Sequence, residues 1–128
     1  MANKPEWCNE SELTCGFDID GTLLMWIDEL TPGPGKIEMD YAGKKIYLTP
    51  HIEMIDLLKQ HYIRGYSIYA WSMNGAQHAK AAITKLGLKK YVYHTMCKFN
   101  KHMDDKSEPQ DIIGTRVYLD YKSFQKEE

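Results

Sequence analysis

Short β-rich runs alternate with segments of helical periodicity along the middle of the chain, and this alternation restricts the folds that it can adopt. Strands are predicted at residues 13–17, 66–71 and 91–96, where apolar and aromatic side chains cluster. Helical spacing occupies the two intervals between these strands. Because strands that alternate with helices form a mostly parallel sheet, the sequence predicts a Rossmann-like α/β fold with helices on both faces.

The two predicted helices are defined by apolar periodicity and by their end signals. The first begins with Thr49 and Pro50, an N-cap and first-turn pair, and ends at Gly65. The second ends at Gly87. Their apolar positions are Ile52, Ile55, Leu58 and Tyr62 in the first helix and Ala76, Ala79, Ile83 and Leu86 in the second.

Weaker signals lie outside this central part of the chain. Residues 23–48 are predicted to form a hairpin or flap, since Ala42-Gly43 separates two β-compatible halves. After Lys98 the sequence predicts a weak strand that ends at Asp104, a short helix that starts at Ser107 and a final strand at 116–119.

Composition limits the compartment and the partners. The 128 residues suit a single domain, 1–128, and a formal net charge of -2 gives no general attraction to nucleic acid or anionic lipid. The cysteines Cys8, Cys15 and Cys97 form neither a paired disulfide set nor a paired metal motif. No apolar run has the length of a membrane span, and the first ten residues lack an apolar signal core. We therefore expect a cytoplasmic protein without a membrane partner.

Chemically active side chains directly follow several of the predicted strands. They are Asp18 and Asp20, Ser72, Lys98, and the pair Asp104 and Asp105. The carboxyl ends of parallel strands meet at one edge of a sheet, so we expect these side chains to converge. Carboxylates that converge repel one another unless a hard cation lies among them, and oxygen-rich sites suit Mg²⁺. The sequence therefore predicts a magnesium site.

Such a site also suits the chemistry of phosphate. A carboxylate that attacks a phosphoryl group needs its negative oxygens neutralised, and Lys98, Ser72 and loop N–H groups are available for this. Gly21 permits the tight turn after the acids. We expect the neighbouring carboxylates to raise the pKa of Asp20, which would let it act as a general acid and base.

The string FDIDGTL, followed in order by Ser72, Lys98 and Asp104-Asp105, resembles the four motifs of the haloacid dehalogenase superfamily over residues 13 to about 120. The resemblance implies that Asp18 is the nucleophile of an aspartyl-phosphate mechanism. It implies that Asp20 is the acid/base and binds Mg²⁺ through its backbone carbonyl. The remaining implied roles are phosphate binding by Ser72, Lys98, Gly21, Thr22, Met73 and Asn74, and completion of the metal site by Asp104 and Asp105.

Only residues 23–48 are available for an inserted cap, so the chain resembles a capless member of the family. An open site usually accepts a large substrate or is covered by a second subunit, in a homo-oligomer. The expected partner is a phosphorylated small molecule, a nucleotide or a nucleic-acid end. Trp26 is a candidate for stacking on a base, although packing in the core or flap is the commoner role for such an aromatic.

Several alternatives stay open. Lys101 competes with Lys98 for the charge-stabilising role, and Asp120, with Lys106 as its lysine, competes with the Asp104-Asp105 pair. Zinc binding by His94, Cys97 and His102 is weaker, since a second ligand pair is missing. The chain is alternatively a phosphate-binding or interaction module that has the fold without turnover. A phosphatase acting on nucleic-acid ends is the third functional hypothesis, motivated by the local lysines.

Overall fold

The computed structural model describes residues 13–25, 37–109, 113–115 and 117. The elements in these ranges are β1 (Thr14–Asp18), β2 (Leu24–Met25), β3 (Ile37–Tyr41), β4 (Lys44–Pro50), α1 (Ile52–Ile63), β5 (Ser67–Ser72), α2 (Ala76–Lys85) and β6 (Val92–Cys97), with a short 3-10 helix at Lys89–Tyr91 before β6. Trp26 and Asp120 lie outside the described residues, as does nearly all of the predicted strand at 116–119.

A parallel sheet in the order β1-β5-β6 positions the ends of three strands side by side. Asp18, the last residue of β1, is paired in register with Trp71 of β5. Ser72, the last residue of β5, is paired with Cys97 of β6. The predicted α/β architecture is therefore confirmed for this part of the chain, and the three strands end at the same level.

The side chains of β5 alternate between a buried and a half-buried face. Ile68 and Ala70 are fully buried and belong to one apolar cluster with the inward-facing residues of both helices. Those helix residues are Met54, Ile55 and Leu58 of α1 and Ala79, Ala82 and Ile83 of α2. Tyr69 and Trp71, on the opposite face, are only half-buried. The sequence predicted helices on both faces of the sheet. Within the described ranges, α1 and α2 both pack on the face that carries Ile68 and Ala70.

A second sheet, in the order β2-β4-β3, is antiparallel. The predicted hairpin is confirmed as β3 and β4. Its turn places Ala42 at φ 56° and Gly43 at φ 87°, and two consecutive positive φ angles are the geometry of a tight hairpin turn. Leu48 of β4 is fully buried in the same apolar cluster as Ile68, so the two sheets share one core.

The start of α1 differs from the prediction. Thr49 and Pro50 continue β4, because they pair with Met25 and Leu24 of β2. The helix is capped instead by His51, whose Nδ1 accepts a hydrogen bond from the Met54 N–H at 3.2 Å. Sheet pairing therefore overrides the local capping signal.

The predicted strand before Asp104 is also wrong, since residues 98–104 form no strand. Their polar sequence, with exposed Phe99 and Met103, provides no buried face to pair against a sheet. Farther on, Pro109 and Ile113 are helical, and residues 110–112 between them lie outside the description. None of the helices in the described ranges combines the length and apolar character needed to cross a membrane.

Candidate functional site

The end of β1 leads directly into a tight turn that shapes the site. The N–H groups of Thr22, Leu23 and Leu24 all point to the Ile19 carbonyl, at 3.2, 3.0 and 3.0 Å. Gly21 has φ 86°, a backbone conformation that other residues adopt only with strain. This turn reverses the chain within a few residues and leaves the carboxylates of Asp18 and Asp20 on the same side as the ends of β5 and β6.

Asp18 is held by two partners that neutralise its charge. Its Oδ1 lies 3.0 Å from the Lys98 Nζ, and its Oδ2 accepts a hydrogen bond from the Thr22 hydroxyl at 3.2 Å. The side chains of Asp18 and Lys98 are each 32% exposed, so solvent or a ligand reaches both. The pair combines an accessible carboxylate with an accessible cation.

Lys98 is positioned by the backbone as well as by its side chain. Its N–H donates to the Ser72 carbonyl at 3.1 Å, which ties the residue to the end of β5. Its Nζ also lies 5.9 Å from the centre of the Trp71 ring, within range of a cation–π interaction. Of the two lysines left open by the sequence, Lys98 makes the ion pair with Asp18, whereas Lys101 is exposed.

Asp20 lies in a different environment, with a donor group at every acceptor position. The contacts are Tyr41 Oη to Oδ1 at 2.5 Å, His78 Nε2 to Oδ1 at 3.0 Å, Ser72 Oγ to Oδ2 at 3.1 Å and Asn74 Nδ2 to Oδ2 at 3.1 Å. A carboxylate has about four lone-pair sites, so these contacts saturate it. The Asn74 N–H in turn donates to the Ser72 Oγ at 2.9 Å, which fixes the hydroxyl.

The environment of Asp20 reverses the predicted direction of its pKa shift. Burial favours a raised pKa, but the hydrogen bonds from Tyr41 and His78 outweigh it, and the pKa of Asp20 is below its ordinary value. The charge of His78 and the Asn74 amide act in the same direction. Burial and the adjacent Asp20 carboxylate raise the pKa of the Tyr41 hydroxyl. Asp20 is therefore an anion held by donors, and not a carboxyl group kept protonated by neighbouring acids.

Tyr41 and His78 were not identified from the sequence as part of the site. Tyr41 is the last residue of β3, and His78 lies four residues after Asn74 on the first turns of α2. Asn74 lies in the turn before α2, so helical spacing does not link it to His78, and the sequence carried no local signal for this pair. The position of Tyr41 depends on how the hairpin packs on α2, which local spacing does not report.

The predicted phosphate-binding residues beside Asp18 and Ser72 lie in two turns. Gly21 and Thr22 belong to the turn after β1, and Met73 and Asn74 to the turn after β5. The Met73 side chain is exposed. These two turns and Lys98 surround the end of β1.

The structure does not bring Asp104 and Asp105 to this cluster. Both are exposed, and the Asp104 carboxylate accepts a hydrogen bond from the Lys106 N–H at 2.9 Å, which makes a local turn. Across the described residues, no group of three or more His, Cys, Asp or Glu side chains is placed to hold a metal ion. This holds for the predicted acidic set and for the zinc alternative with His94, Cys97 and His102.

Only part of the predicted magnesium site is present in this arrangement. Of the two acids after β1, Asp20 has no acceptor position left, while Asp18 is accessible. Mg²⁺ commonly keeps several waters and binds through one or two carboxylates together with substrate phosphate oxygens. Asp18 is therefore the side chain that would hold the ion alongside a phosphate, and the family resemblance adds the backbone carbonyl of Asp20.

The cluster offers one accessible carboxylate paired with a lysine and a hydroxyl, and a second carboxylate saturated with donors. An accessible anion beside a cation suits attack on an electrophile whose developing negative charge the cation stabilises.

No family model, curated protein or solved structure matches this chain.

Proposed function

We propose that this protein is a magnesium-dependent phosphohydrolase that cleaves phosphate monoesters through an aspartyl-phosphate on Asp18. The observation that carries the proposal is the 3.0 Å contact between Asp18 and Lys98 at the shared ends of β1 and β6. Two residues from distant parts of the sequence meet there, both accessible, with the chemistry of a nucleophile and its charge-stabilising partner. The resemblance of FDIDGTL to the haloacid dehalogenase superfamily supports the same assignment.

In the first step, a carboxylate oxygen of Asp18 attacks phosphorus. The new bond joins that oxygen to phosphorus, the bond from phosphorus to the ester oxygen breaks, and the leaving oxygen takes its proton from solvent water. Lys98 exchanges its contact with the carboxylate for one with a phosphoryl oxygen, and the Thr22 hydroxyl donates to another. Bound Mg²⁺ would supply further positive charge to those oxygens.

In the second step, a water oxygen attacks phosphorus, the bond from phosphorus to the Asp18 oxygen breaks, and inorganic phosphate leaves with the Asp18 carboxylate restored. We assign Asp20 the part of proton acceptor from this water, because its surroundings keep it ionised. To accept the proton it must release one of its four donors. To protonate the leaving group, Asp20 would first have to be protonated itself, and the same four donors disfavour its protonated form.

The test is phosphate release from a panel of monoesters with Mg²⁺ and with EDTA. The wild-type protein should release phosphate only with the metal, and Asp18→Asn should lose at least about a thousandfold in kcat, as expected for loss of a nucleophile. The matched control is Asp56→Asn, an exposed acid on α1, which should keep wild-type activity. Wild-type rates in Asp18→Asn, with the fold verified by circular dichroism, would contradict the proposal.

A second candidate is a phosphate-binding module without turnover. It is favoured by the saturation of Asp20 and by the lack of a third metal-binding side chain among the described residues. Calorimetry distinguishes the two candidates. Binding of phosphate that depends on Lys98, with no release of phosphate from any ester, would support the module and exclude the enzyme.

A further inference from the structure

A cleft of about 460 Å³ lies between the β3–β4 hairpin and α2. Asp40 and Tyr41 line it from the hairpin, and Gln77, His78 and Lys85 line it from the helix. Small-ligand sites in proteins typically span roughly 300–1,000 Å³. The cleft thus has the volume for a ligand of monosaccharide or nucleoside size.

Contacts between the hairpin and α2 hold both ends of the cleft. At one end, Tyr41 and His78 contact the same oxygen of Asp20, and their rings meet edge to face with centroids 5.1 Å apart. At the other end, the Lys85 amine donates to the Glu38 carbonyl. Because the two elements are fixed at two separate points, the space between them is largely preformed.

The cleft opens beside the candidate site. Three of its lining residues, Tyr41, Asn74 and His78, are the ones that contact Asp20. Asp20 follows Asp18 by two residues, so a phosphoryl group on Asp18 lies next to this end of the cleft. The part of the substrate that leaves phosphorus would therefore point toward the hairpin and α2.

The lining chemistry favours a neutral ligand with hydroxyl groups. Asp40 and Lys85 carry opposite charges, and Lys85, the one lysine or arginine among the described lining residues, already donates to Glu38. The Gln77 amide is exposed and makes no hydrogen bond within the described part of the chain, so its donor and acceptor are available. A second phosphate would lack a free cation here, whereas hydroxyls find both donors and acceptors.

We propose that this cleft binds the leaving group of the substrate, and that this group is a hydroxyl-bearing ring such as a pentose or hexose. The inference rests on the proposed phosphohydrolase function and adds a specificity site to it. Gln77 contacts the ring hydroxyls, and Ala42 and Ala81 provide small apolar surface. Asp40, whose Oδ1 already accepts from the Gly43 N–H at 2.7 Å, accepts from them through Oδ2 at the opposite wall.

The test compares kcat/KM for ribose 5-phosphate, glucose 6-phosphate, nucleoside 5′-monophosphates and a 3′-phosphorylated oligonucleotide, each relative to phenyl phosphate with Mg²⁺. A sugar phosphate or a nucleoside monophosphate should exceed phenyl phosphate by at least about tenfold, an effect of the size of one or two hydrogen bonds. The comparison of these two classes identifies whether the ring is a free sugar or the ribose of a nucleotide.

The variant Gln77→Ala should reduce that preference by about tenfold, mainly through KM, because one neutral hydrogen bond is lost in binding. Alanine suits this exposed helix position, and thermal unfolding verifies that the fold is kept. Lys80→Ala, an exposed residue of α2 outside the cleft, is the matched control and should keep the preference.

The failures of the two proposals are distinguishable. Hydrolysis of phenyl phosphate at the same efficiency as the sugar phosphates, preference for the oligonucleotide, or an unchanged preference in Gln77→Ala would overturn the cleft assignment and leave the phosphohydrolase standing. Release of phosphate from no ester at all would overturn both.

Discussion

Asp18 and Asp20 follow the same strand two residues apart, yet the fold treats them differently. Asp18 has one lysine and one hydroxyl as partners and stays accessible. Asp20 has four donors from β3, β5, α2 and the turn before α2. The comparison shows how one strand end presents both an accessible carboxylate and an anchor that ties the hairpin to the parallel sheet. An accessible carboxylate can meet a ligand directly, whereas an anchored one must first release a donor.

The largest expected effect on activity comes from removing the positive charge beside Asp18. Lys98→Met removes the cation that we propose stabilises the phosphoryl oxygens, and kcat should fall by about a hundredfold, the usual cost of losing one such donor. Lys101→Met, an exposed lysine three residues away, serves as the control and should leave kcat unchanged. Steady-state phosphate release with Mg²⁺ measures both. Equal losses in the two variants would show that general positive charge, and not the contact with Asp18, is what matters.

The second prediction compares how much Asp18 and Asp20 each contribute to the free energy of unfolding. Asp20→Asn replaces acceptors with an NH₂ group that faces other donors, so the free energy of unfolding should fall by about 2 kcal/mol. Asp18→Asn breaks only a half-exposed ion pair, and its change should stay within about 0.5 kcal/mol. Urea denaturation followed by circular dichroism measures both changes. A larger loss in Asp18→Asn than in Asp20→Asn would mean that Asp18, and not Asp20, is the carboxylate that anchors the fold.

A smaller effect tests the link from the hairpin alone. Tyr41→Phe removes one hydroxyl from Asp20 and keeps the ring against His78, so the free energy of unfolding should fall by about 1 kcal/mol. Tyr47→Phe is the matched control, because its hydroxyl contacts only the exposed Glu38 at 3.3 Å in the described structure. Thermal or urea unfolding compares the two. Equal stability of both variants would mean that the Tyr41 contact contributes nothing net to the fold.

The convergence of Asp18, Ser72 and Lys98 could be predicted from the sequence, since it depends on local signals. Each residue follows a run with strand character, and parallel strands bring their carboxyl ends together. The hairpin could also be predicted from a local signal, because Ala42-Gly43 marks its turn. These signals concern a few neighbouring residues and a general rule of sheet topology.

The contacts of Asp20 could not be predicted in the same way. Tyr41 reaches it only because the hairpin packs on α2, a long-range arrangement that no spacing in the sequence encodes. The expected raised pKa assumed acids around Asp20, whereas the neighbours are donors. Asp104 and Asp105 were placed by motif order alone, and the polar segment before them forms no strand that would carry them to the site. The assigned roles of all these residues stay predictions.

The smallest effect is a pH dependence of stability that comes from Asp20. The pKa of Asp20 is lowered by folding, so its donors stabilise the native state above the unfolded pKa of about 3.9, and this stabilisation is lost as the pH falls through the lower folded value. Wild-type stability should therefore decline on acidification below about pH 4 more steeply than that of Asp20→Asn, which lacks the titrating group. Urea midpoints measured from pH 5 downward give the comparison. Parallel curves for the two proteins would mean that the donors around Asp20 do not favour its ionised form, and the description of Asp20 as an anchored anion would lose its electrostatic basis.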